Sequence, residues 1–458
     1  MIEITEEKRE QLKAMGITDE DINNLIASSD PAQKYDFKYE NGKILTSKTD
    51  YSQIADYLIN KYRISKILGV PHVYTEGVYR YLSDDEFDII CINELYNTTI
   101  NRRKDIKKYV SAMAESKRPS HERYILFKNG VYDVKDKKLL PKSPEYVFCN
   151  IIPHNYNEKA KKQQIFDDFI ISLSNGDEET AILLKQMIGY CFYRKNPLQE
   201  FFFLLGTGGN GKSTFLEFLA YLIGYENTSY LTTDDLRNGF NVPLLKNKLL
   251  NIGDDVENGY LDSVSILKKI VSGEQFTAAG KYKEPEPISF YGKALFSGNE
   301  VPKTSDKSNG LKRRTNIVPL LNTFTKKTGE EKRDINILEK LKNEEVAEYC
   351  IKECMKSLEY VLEHRCFSLP KIVVEAGYEY AKENDAVLEF IEENEDIVLE
   401  KECATVYTIY YKRFCNDCGY RPLGRNNFYK QMRAAGYVNR QRDDAPGRPW
   451  MFCKVQEN

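Results

Sequence analysis

The stretch Gly206-Thr207-Gly208-Gly209-Asn210-Gly211-Lys212-Ser213 has the spacing G-x-x-x-x-G-K-[ST], which suits a chain of phosphates. Glycines at such a bend let consecutive backbone N–H groups curl around phosphate oxygens. Lys212 brings a point charge to the β and γ phosphates, and Ser213 brings a hydroxyl for Mg²⁺. The expected ligand set is Gly206, Gly208, Gly209, Asn210, Gly211, Lys212, Ser213 and Thr214, with ATP and Mg²⁺ as the bound species. Phosphoryl transfer to water also needs acids. Lys248-Leu249-Leu250-Asn251-Ile252-Gly253-Asp254-Asp255 places two at the end of an apolar run, 42 and 43 residues after Lys212. Asp254 is assigned to the metal shell, with Ser213, and Asp255 to polarising the attacking water; these two roles are interchangeable on sequence grounds. Asn299, ending Ala294-Leu295-Phe296-Ser297-Gly298-Asn299, offers an amide to hold that water or sense the γ phosphate. Arg313-Arg314 offers a guanidinium to a neighbouring copy's site, where charge builds on the transferred group; Arg314 is the first choice.

Such residues need elements to hold them in place. Phe201–Leu205 is a short apolar run before the glycine-rich loop, and Lys212–Ile223 has helical spacing. Lys248–Ile252, Ala294–Ser297 and Asn316–Leu320 read as buried strands, so strands and helices alternate from Glu200 to about Leu321, as in an α/β sheet covered by helices. Upstream, Ile165, Phe169, Ile170, Leu173, Ile182, Leu183, Met187 and Ile188 recur at helical spacing. Tyr124–Phe127 and Val131–Val134 flank Lys128-Asn129-Gly130, a hairpin signal that calls for positive φ at the turn. Downstream, residues 401–458 carry eleven Lys/Arg against five Asp/Glu, interleaved with tyrosines and phenylalanines. Helices over Val406–Asn416 and Arg425–Ala435 precede a hairpin over Tyr437–Val455, the order of a winged helix. Arg425, Lys430 and Arg433 fall on its candidate recognition helix, Arg440 and Arg442 on its candidate wing.

Composition bounds the class. With 66 Lys/Arg, 69 Asp/Glu and a net charge of -3, the chain is not basic throughout, so any nucleic-acid surface is local. Its ten cysteines read as thiols of a reducing compartment. Cys415 and Cys418 have C-x-x-C spacing, without the second pair that a four-ligand zinc site needs. No apolar run reaches the ~18–20 residues of a membrane span, and the N-terminus lacks the layout of a signal peptide.

With these residues in place, the chain resembles the phage/plasmid primase-helicase family within the superfamily 3 (SF3) helicases, over roughly Tyr51 to the C-terminus. The loop is similar to G-x-x-x-N-G-K-S-T, with Asn210 in the matching slot. Ile252-Gly253-Asp254-Asp255 resembles that group's Walker B acids, and Asn299-Glu300-Val301-Pro302 its N-x-x-P motif. Leu267-Lys268-Lys269-Ile270-Val271-Ser272-Gly273-Glu274 is similar to the motif that precedes a pore hairpin, which would contain Lys281 and Lys283. Arg313-Arg314 resembles the arginine finger. Asn129-Gly130-Val131-Tyr132-Asp133 and Ile188-Gly189-Tyr190 are similar to the region ahead of the core.

The resemblance implies an AAA+-like ATPase core and a hexameric ring with ATP between subunits. It implies 3′→5′ movement on single-stranded DNA, duplex unwinding during replication of a mobile element, and a bacterial cytoplasm as the location. Lys268, Lys281 and Lys283 would hold DNA backbone, either lysine of the hairpin being able to do so. A separate primase or host replication proteins are expected partners, and primase activity of the chain itself is not expected. The domains expected are 1–50, an N-terminal helical segment with helices over Glu6–Met15 and Asp19–Ser28; 51–160, an α+β domain; 161–335, the core, with 161–197 as helical lead-in; 336–385, a helical linker; and 386–458, a winged-helix DNA-binding domain. Two other readings stay open: a P-loop kinase of a small molecule, and an origin-binding protein that uses ATP as a switch without unwinding.

Overall fold

The computed structural model describes residues 35–256, 260–261, 264–281, 285–304, 309–324, 326–327, 330–331, 334–383, 385–418, 420, 422–441 and 447–454. The helices expected over Glu6–Met15 and Asp19–Ser28 lie outside them, as do Lys283 and Arg442. By internal contacts the chain divides between Ile151 and Ile152, ahead of the expected boundary at 160. The residues just after the division belong with the second unit because they are tied to a late helix, Glu344–His364. His154 Nδ1 lies 2.9 Å from Glu344 Oε2, and Asn157 Nδ2 donates to Glu348 Oε2 at 2.7 Å.

The first unit is α+β. Three helices, Tyr51–Tyr62, Asp84–Glu94 and Ile100–Met113, start at Asp50, Ser83 and Thr99, whose side chains accept from the first-turn N–H groups; this satisfies donors a helix cannot pair internally. Ser83 and Glu86 cap each other reciprocally. Tyr39–Glu40 and Lys43–Leu45 pair antiparallel, and Phe37 and Ile44 are buried with Ile54, Leu58, Phe87 and Val110. The end of the stretch expected as a helical leader therefore forms strands that share this core. The Tyr124–Phe127/Gly130–Asp133 hairpin forms, but neither Lys128 nor Asn129 has positive φ. Gly130 serves a different need: a Cβ there would stand 2.6 Å from the carbonyl of Leu140 in the third strand of that sheet, Lys138–Leu140.

The second unit is built on five parallel strands: β1 (Phe201–Leu205), β2 (Thr228–Ser229), β3 (Leu250–Gly253), β4 (Lys293–Gly298) and β5 (Thr315–Pro319). Their order is β2-β3-β4-β1-β5. Every residue of β3 and β4 is buried, the pattern of a parallel sheet covered on both faces. Phe201, Phe203, Phe296 and Ile317 share one core with Leu236, Leu267 and Ile270. The region expected as a linker over 336–385 is mostly part of this unit's packing. Helix Glu344–His364 buries Ala347, Cys350, Ile351 and Leu358 and crosses helix Glu178–Phe192 so closely that a Cβ on Gly189 would lie 2.1 Å from the carbonyl oxygen of Cys354. The reason is legible afterwards: its apolar residues recur at i, i+3 and i+4, the stripe of a buried helix rather than of a spacer.

The last residues pack on their own cluster, including Val387, Phe390, Tyr411, Phe428, Met432 and Phe452. Helix Ala386–Glu400 leads to a helical run over Cys403–Asp417 that widens to π geometry at Val406–Tyr411, then to helix Arg425–Ala434 and the hairpin Tyr437–Gln441/Trp450–Lys454. The expected helix, helix, hairpin order is present; the π turn had no sequence signal.

Candidate active site

Parallel strands bring their carboxyl ends to one edge of the sheet, the usual place for a ligand in an open α/β fold. β1 runs into the glycine-rich loop there, β3 into Asp254 and Asp255, and β4 into Asn299. Because β4 lies between β1 and β3, Asn299 emerges between the loop and the acids. Lys212 Nζ donates to the Gly206 carbonyl at 2.6 Å and lies 3.5 Å from Asn299 Oδ1. Burial lowers the Lys212 pKa from its usual range, and the charges of Asp254 and Asp255 oppose that shift. Five of the seven residues assigned to catalysis or its support, Lys212, Asp254, Asp255, Asn299 and the hydroxyl of Ser213 beside Lys212, thus come from this one edge.

The loop's shape follows from its residues. Gly208, Gly209 and Gly211 have φ of 105°, 64° and 80°, where a Cβ is strained. Gly206 has no room for one, since Asn210 Oδ1 would be 2.7 Å away. Asn210 is itself buried; its Oδ1 accepts from the Gly208 N–H at 2.8 Å and its Nδ2 donates to the Asn322 carbonyl at 2.7 Å. The Phe324 N–H donates to the Gly209 carbonyl at 2.8 Å. The loop is therefore clamped by the segment that leaves β5. Helix Lys212–Ile223 has Gly211 at its N-cap and no side-chain cap, so its first N–H groups face the loop, where a helix end favours an anion.

At the acids, Gly253 is pressed against the neighbouring strand, with Phe296 Cδ1 2.5 Å from an added Cβ. Asp255 has φ of 50°, a left-handed turn that separates the two carboxylates. The Ser297 hydroxyl donates to Asp254 Oδ1, which also accepts from the Asp255 N–H at 3.0 Å. Ser297 escaped the sequence reading; its one signal was a hydroxyl inside an otherwise apolar buried run. Asn322 and Phe324, the clamps on the loop, had none. Ser213 and Asp254 supply hydroxyl and carboxylate oxygens, the donor types a hard dication such as Mg²⁺ takes. Asp254 is held in orientation by Ser297.

Arg313 and Arg314 lie elsewhere. The Phe201 N–H donates to the Arg314 carbonyl at 2.8 Å, which fixes both arginines at the amino end of β1 and β5. β1 is five residues long, so the pair stands about 16 Å from the loop along the sheet, at ~3.3 Å per residue. Arg313 is exposed. Arg314 is half-buried, and its Nη2 donates to Gln199 Oε1 at 3.3 Å.

The basic candidates form two further groups. Lys281 is exposed in the tip of the hairpin Phe276–Ala278/Glu286–Ile288, and Lys268 is half-buried on helix Ser265–Ser272, whose Leu267, Ile270 and Val271 face the core. On helix Arg425–Ala434, Phe428 and Met432 point inward while Arg425, Lys430 and Arg433 are exposed. The Arg425 guanidinium stacks over the Tyr429 ring at 5.6 Å, and these residues with Asn426 line a basic hollow of about 420 Å³. Arg440 is exposed on the following strand. Cys415 is buried and Cys418 exposed.

Residues 204–314 match a family of unknown function, DUF5906, and residues 91–174 match the family described as D5 N terminal like. The first match takes in the last two residues of β1, the whole phosphate loop, both acids, Asn299 and both arginines. A protein of Acanthamoeba polyphaga mimivirus that bears a helicase name, L207/L206, is 24% identical over 295 residues, 58% of this chain. The chain spans 30% of that relative's length. An apo structure of the NrS-1 C-terminal region superposes with a TM-score of 0.50 at 14% identity, covering 89% of this chain and 100% of that one; at that identity the likeness concerns the fold alone.

Proposed function

From a chain that carries the D5 N-terminal-like and DUF5906 regions typical of phage and plasmid primase-helicases of superfamily 3, we infer an ATP-driven DNA helicase that works as a ring of copies during replication of a mobile element. The observation that carries this reading is the separation of the arginines from the phosphate loop. One copy supplies Lys212, Ser213, the two acids and Asn299 at the carboxyl edge of its sheet. A guanidinium for the same phosphates has to come from another copy, because the chain's own pair lies at the far end of β1. Arg313, the exposed member, suits the reaching role; Arg314, bonded to Gln199, suits the anchor. On sequence grounds alone Arg314 was the residue expected to reach.

Lys212 neutralises the outer phosphates, and its modest burial strengthens that attraction. Bound Mg²⁺, held by Ser213 and through water by Asp254, would supply Lewis-acid stabilisation of the phosphate oxygens. Asp255 polarises the attacking water, and Asn299, within reach of Lys212, holds it in line. β4 joins this site to the hairpin: strand Glu286–Ile288 leads within a few residues into β4, and β4 ends at Asn299. A shift at the γ phosphate then moves the hairpin and Lys281, a point charge that holds backbone phosphate without reading sequence. The exposed arginines of the C-terminal module suit duplex backbone in the same way.

The test is a mixing experiment. Lys212→Ala and Arg313→Ala are each expected to abolish DNA-stimulated ATP hydrolysis and strand displacement on forked substrates. Mixed in equal amounts, they are expected to regain hydrolysis at the interfaces where an intact loop meets an intact arginine. Absence of recovery, for this pair and for Lys212→Ala with Arg314→Ala, overturns the shared site; full-speed hydrolysis by a strictly monomeric protein overturns the ring.

A further inference from the structure

The C-terminal hairpin carries the chain's only tryptophan, and we propose that Trp450 is a stacking platform for an unpaired DNA base, set beside a basic helix that holds the phosphates of the same strand. The inference rests on the DNA reading above and deepens it: the module meets the place where a single strand leaves the duplex.

Three observations carry it. The first is where the indole stands. Strands Tyr437–Gln441 and Trp450–Lys454 pair antiparallel, with Gln441 opposite Trp450 and Asn439 opposite Phe452. Side chains two apart on a strand share a face, so Trp450 lies on the face that Phe452 turns to the core. The Phe452 ring packs on helix Arg425–Ala434, its centroid 5.4 Å from that of Tyr429 and 6.1 Å from that of Phe428. Trp450 is two residues nearer the hairpin tip, about 7 Å further along at ~3.4 Å per residue, and there the cover ends: Phe452 is 2% exposed and Trp450 53%.

The second is the charge around it. Arg425, Lys430 and Arg433 line the basic hollow of the helix, and that helix is tied to the same hairpin face, since Arg433 Nη2 donates to Asn439 Oδ1 at 3.5 Å. Arg440 and Arg448 are exposed on the hairpin itself. Residues 420–441 and 447–454 contain no Asp or Glu, so nothing within these stretches offsets the attraction for an anion.

The third is the combination. Cations alone serve duplex backbone or an acidic protein. An open indole among them adds a second demand, a flat π face carried between negative charges. A nucleotide strand repeats that pair, phosphate and base. In a duplex each base face is covered by its neighbours except at an end or a junction, so a single strand or a fork satisfies both demands. Stacking on an aromatic side chain tolerates every base, which suits a protein that travels along a strand without reading it.

A lone tryptophan is its own reporter. The full chain is titrated with a thymidine oligonucleotide, a forked duplex with thymidine arms, and a relaxed closed-circular duplex that has no ends. Retention of radiolabelled DNA on a filter reads binding, and indole emission reads stacking. Emission is expected to fall as the oligonucleotide and the fork bind, and to hold nearly steady as the circle binds. Trp450→Ala, a change at an exposed position, is expected to bind the fork roughly tenfold more weakly, the scale of one lost base stack, with its salt dependence unchanged because no charge is removed. Trp450→Phe is expected to recover most of that loss, and Lys430→Ala to flatten the salt dependence while emission still falls. Fork binding that leaves emission unchanged, emission that falls as far with the circle as with the fork, or Trp450→Ala holding the fork at wild-type affinity overturns the platform and leaves the helicase reading standing. A full chain that retains none of the three DNAs overturns both.

Discussion

Asn210 gives the sharpest prediction about the loop. Its side chain closes two hydrogen bonds at once, to the Gly208 N–H at 2.8 Å and to the Asn322 carbonyl at 2.7 Å, and it is almost wholly buried. Asn210→Ala leaves both partners without it. Each orphaned polar group costs about 1–3 kcal/mol in a buried setting, and the loop borders solvent, so the low end applies and the pair comes to ~2–3 kcal/mol. If that cost falls on holding the loop in its phosphate-binding shape, nucleotide affinity drops by roughly 30- to 150-fold, at ~1.4 kcal/mol per factor of ten. Isothermal titration with Mg·ATP reads the affinity, and thermal melting without ligand reads the cost to the fold. Asn210→Asp is the informative companion: it keeps the acceptor for Gly208 but turns a second oxygen toward the Asn322 carbonyl and adds negative charge to a phosphate cradle. It is expected to bind ATP no better than the alanine variant. An Asn210→Ala protein whose affinity stays within about threefold of the wild type, less than 1 kcal/mol, refutes the claim that this side chain pre-shapes the loop.

Three other outcomes follow from the packing. Ser297→Ala removes the hydroxyl that orients Asp254 and is expected to lower kcat by about tenfold, the scale of a lost outer hydrogen bond at a metal-holding group, with KM little changed. Gly189→Ala forces a methyl toward the Cys354 carbonyl and is expected to lower the denaturant midpoint by an amount equivalent to ~1–3 kcal/mol; an unchanged midpoint shows that the two helices part freely. Lys293 is buried at the foot of β4, its ammonium donating to the carbonyls of Tyr193 and Lys195, the latter at 2.8 Å. Burial brings its pKa down from 10.5 to about 7, opposed by Cys191. Between those values the unfolded chain holds the proton and the folded chain does not, so this group makes stability rise with pH across that window, by at most ~1.4 kcal/mol per unit. Urea midpoints of the wild type measured from pH 7 to 9 are expected to climb more steeply than those of Lys293→Met.

The phosphate loop was legible because its chemistry is local. A strand, a glycine-rich bend and a helix follow one another within about twenty residues, and Phe201–Leu205 and Lys212–Ile223 begin and end where the apolar pattern puts them. Strand ends further on moved by a residue or two, as expected where pairing across the sheet, and not propensity, sets the limit. What pattern cannot carry is distance in sequence. The bond from Asn210 to Asn322 spans 112 residues, and neither side chain signals the other. The sheet order is likewise absent from any local window, yet it alone puts Asn299 between Lys212 and the acids and sends the arginines to the far end. The glycines divide the same way. Those of the loop announced a need for positive φ, whereas Gly130 and Gly189 answer to a carbonyl from a strand and a helix elsewhere in the chain.

The two borders of the five-stranded sheet have a consequence of their own. β2 has only two residues, too short a template for another chain to zip onto, and helix Lys371–Glu383 runs alongside β5. Both are familiar defences against strands adding to strands and growing into insoluble fibrils. They also limit how copies of this protein can meet: through side chains and loops, not through a shared backbone ladder. In the proposed ring, joints of that kind would loosen and reseal without tearing the sheet, leaving the scaffold intact.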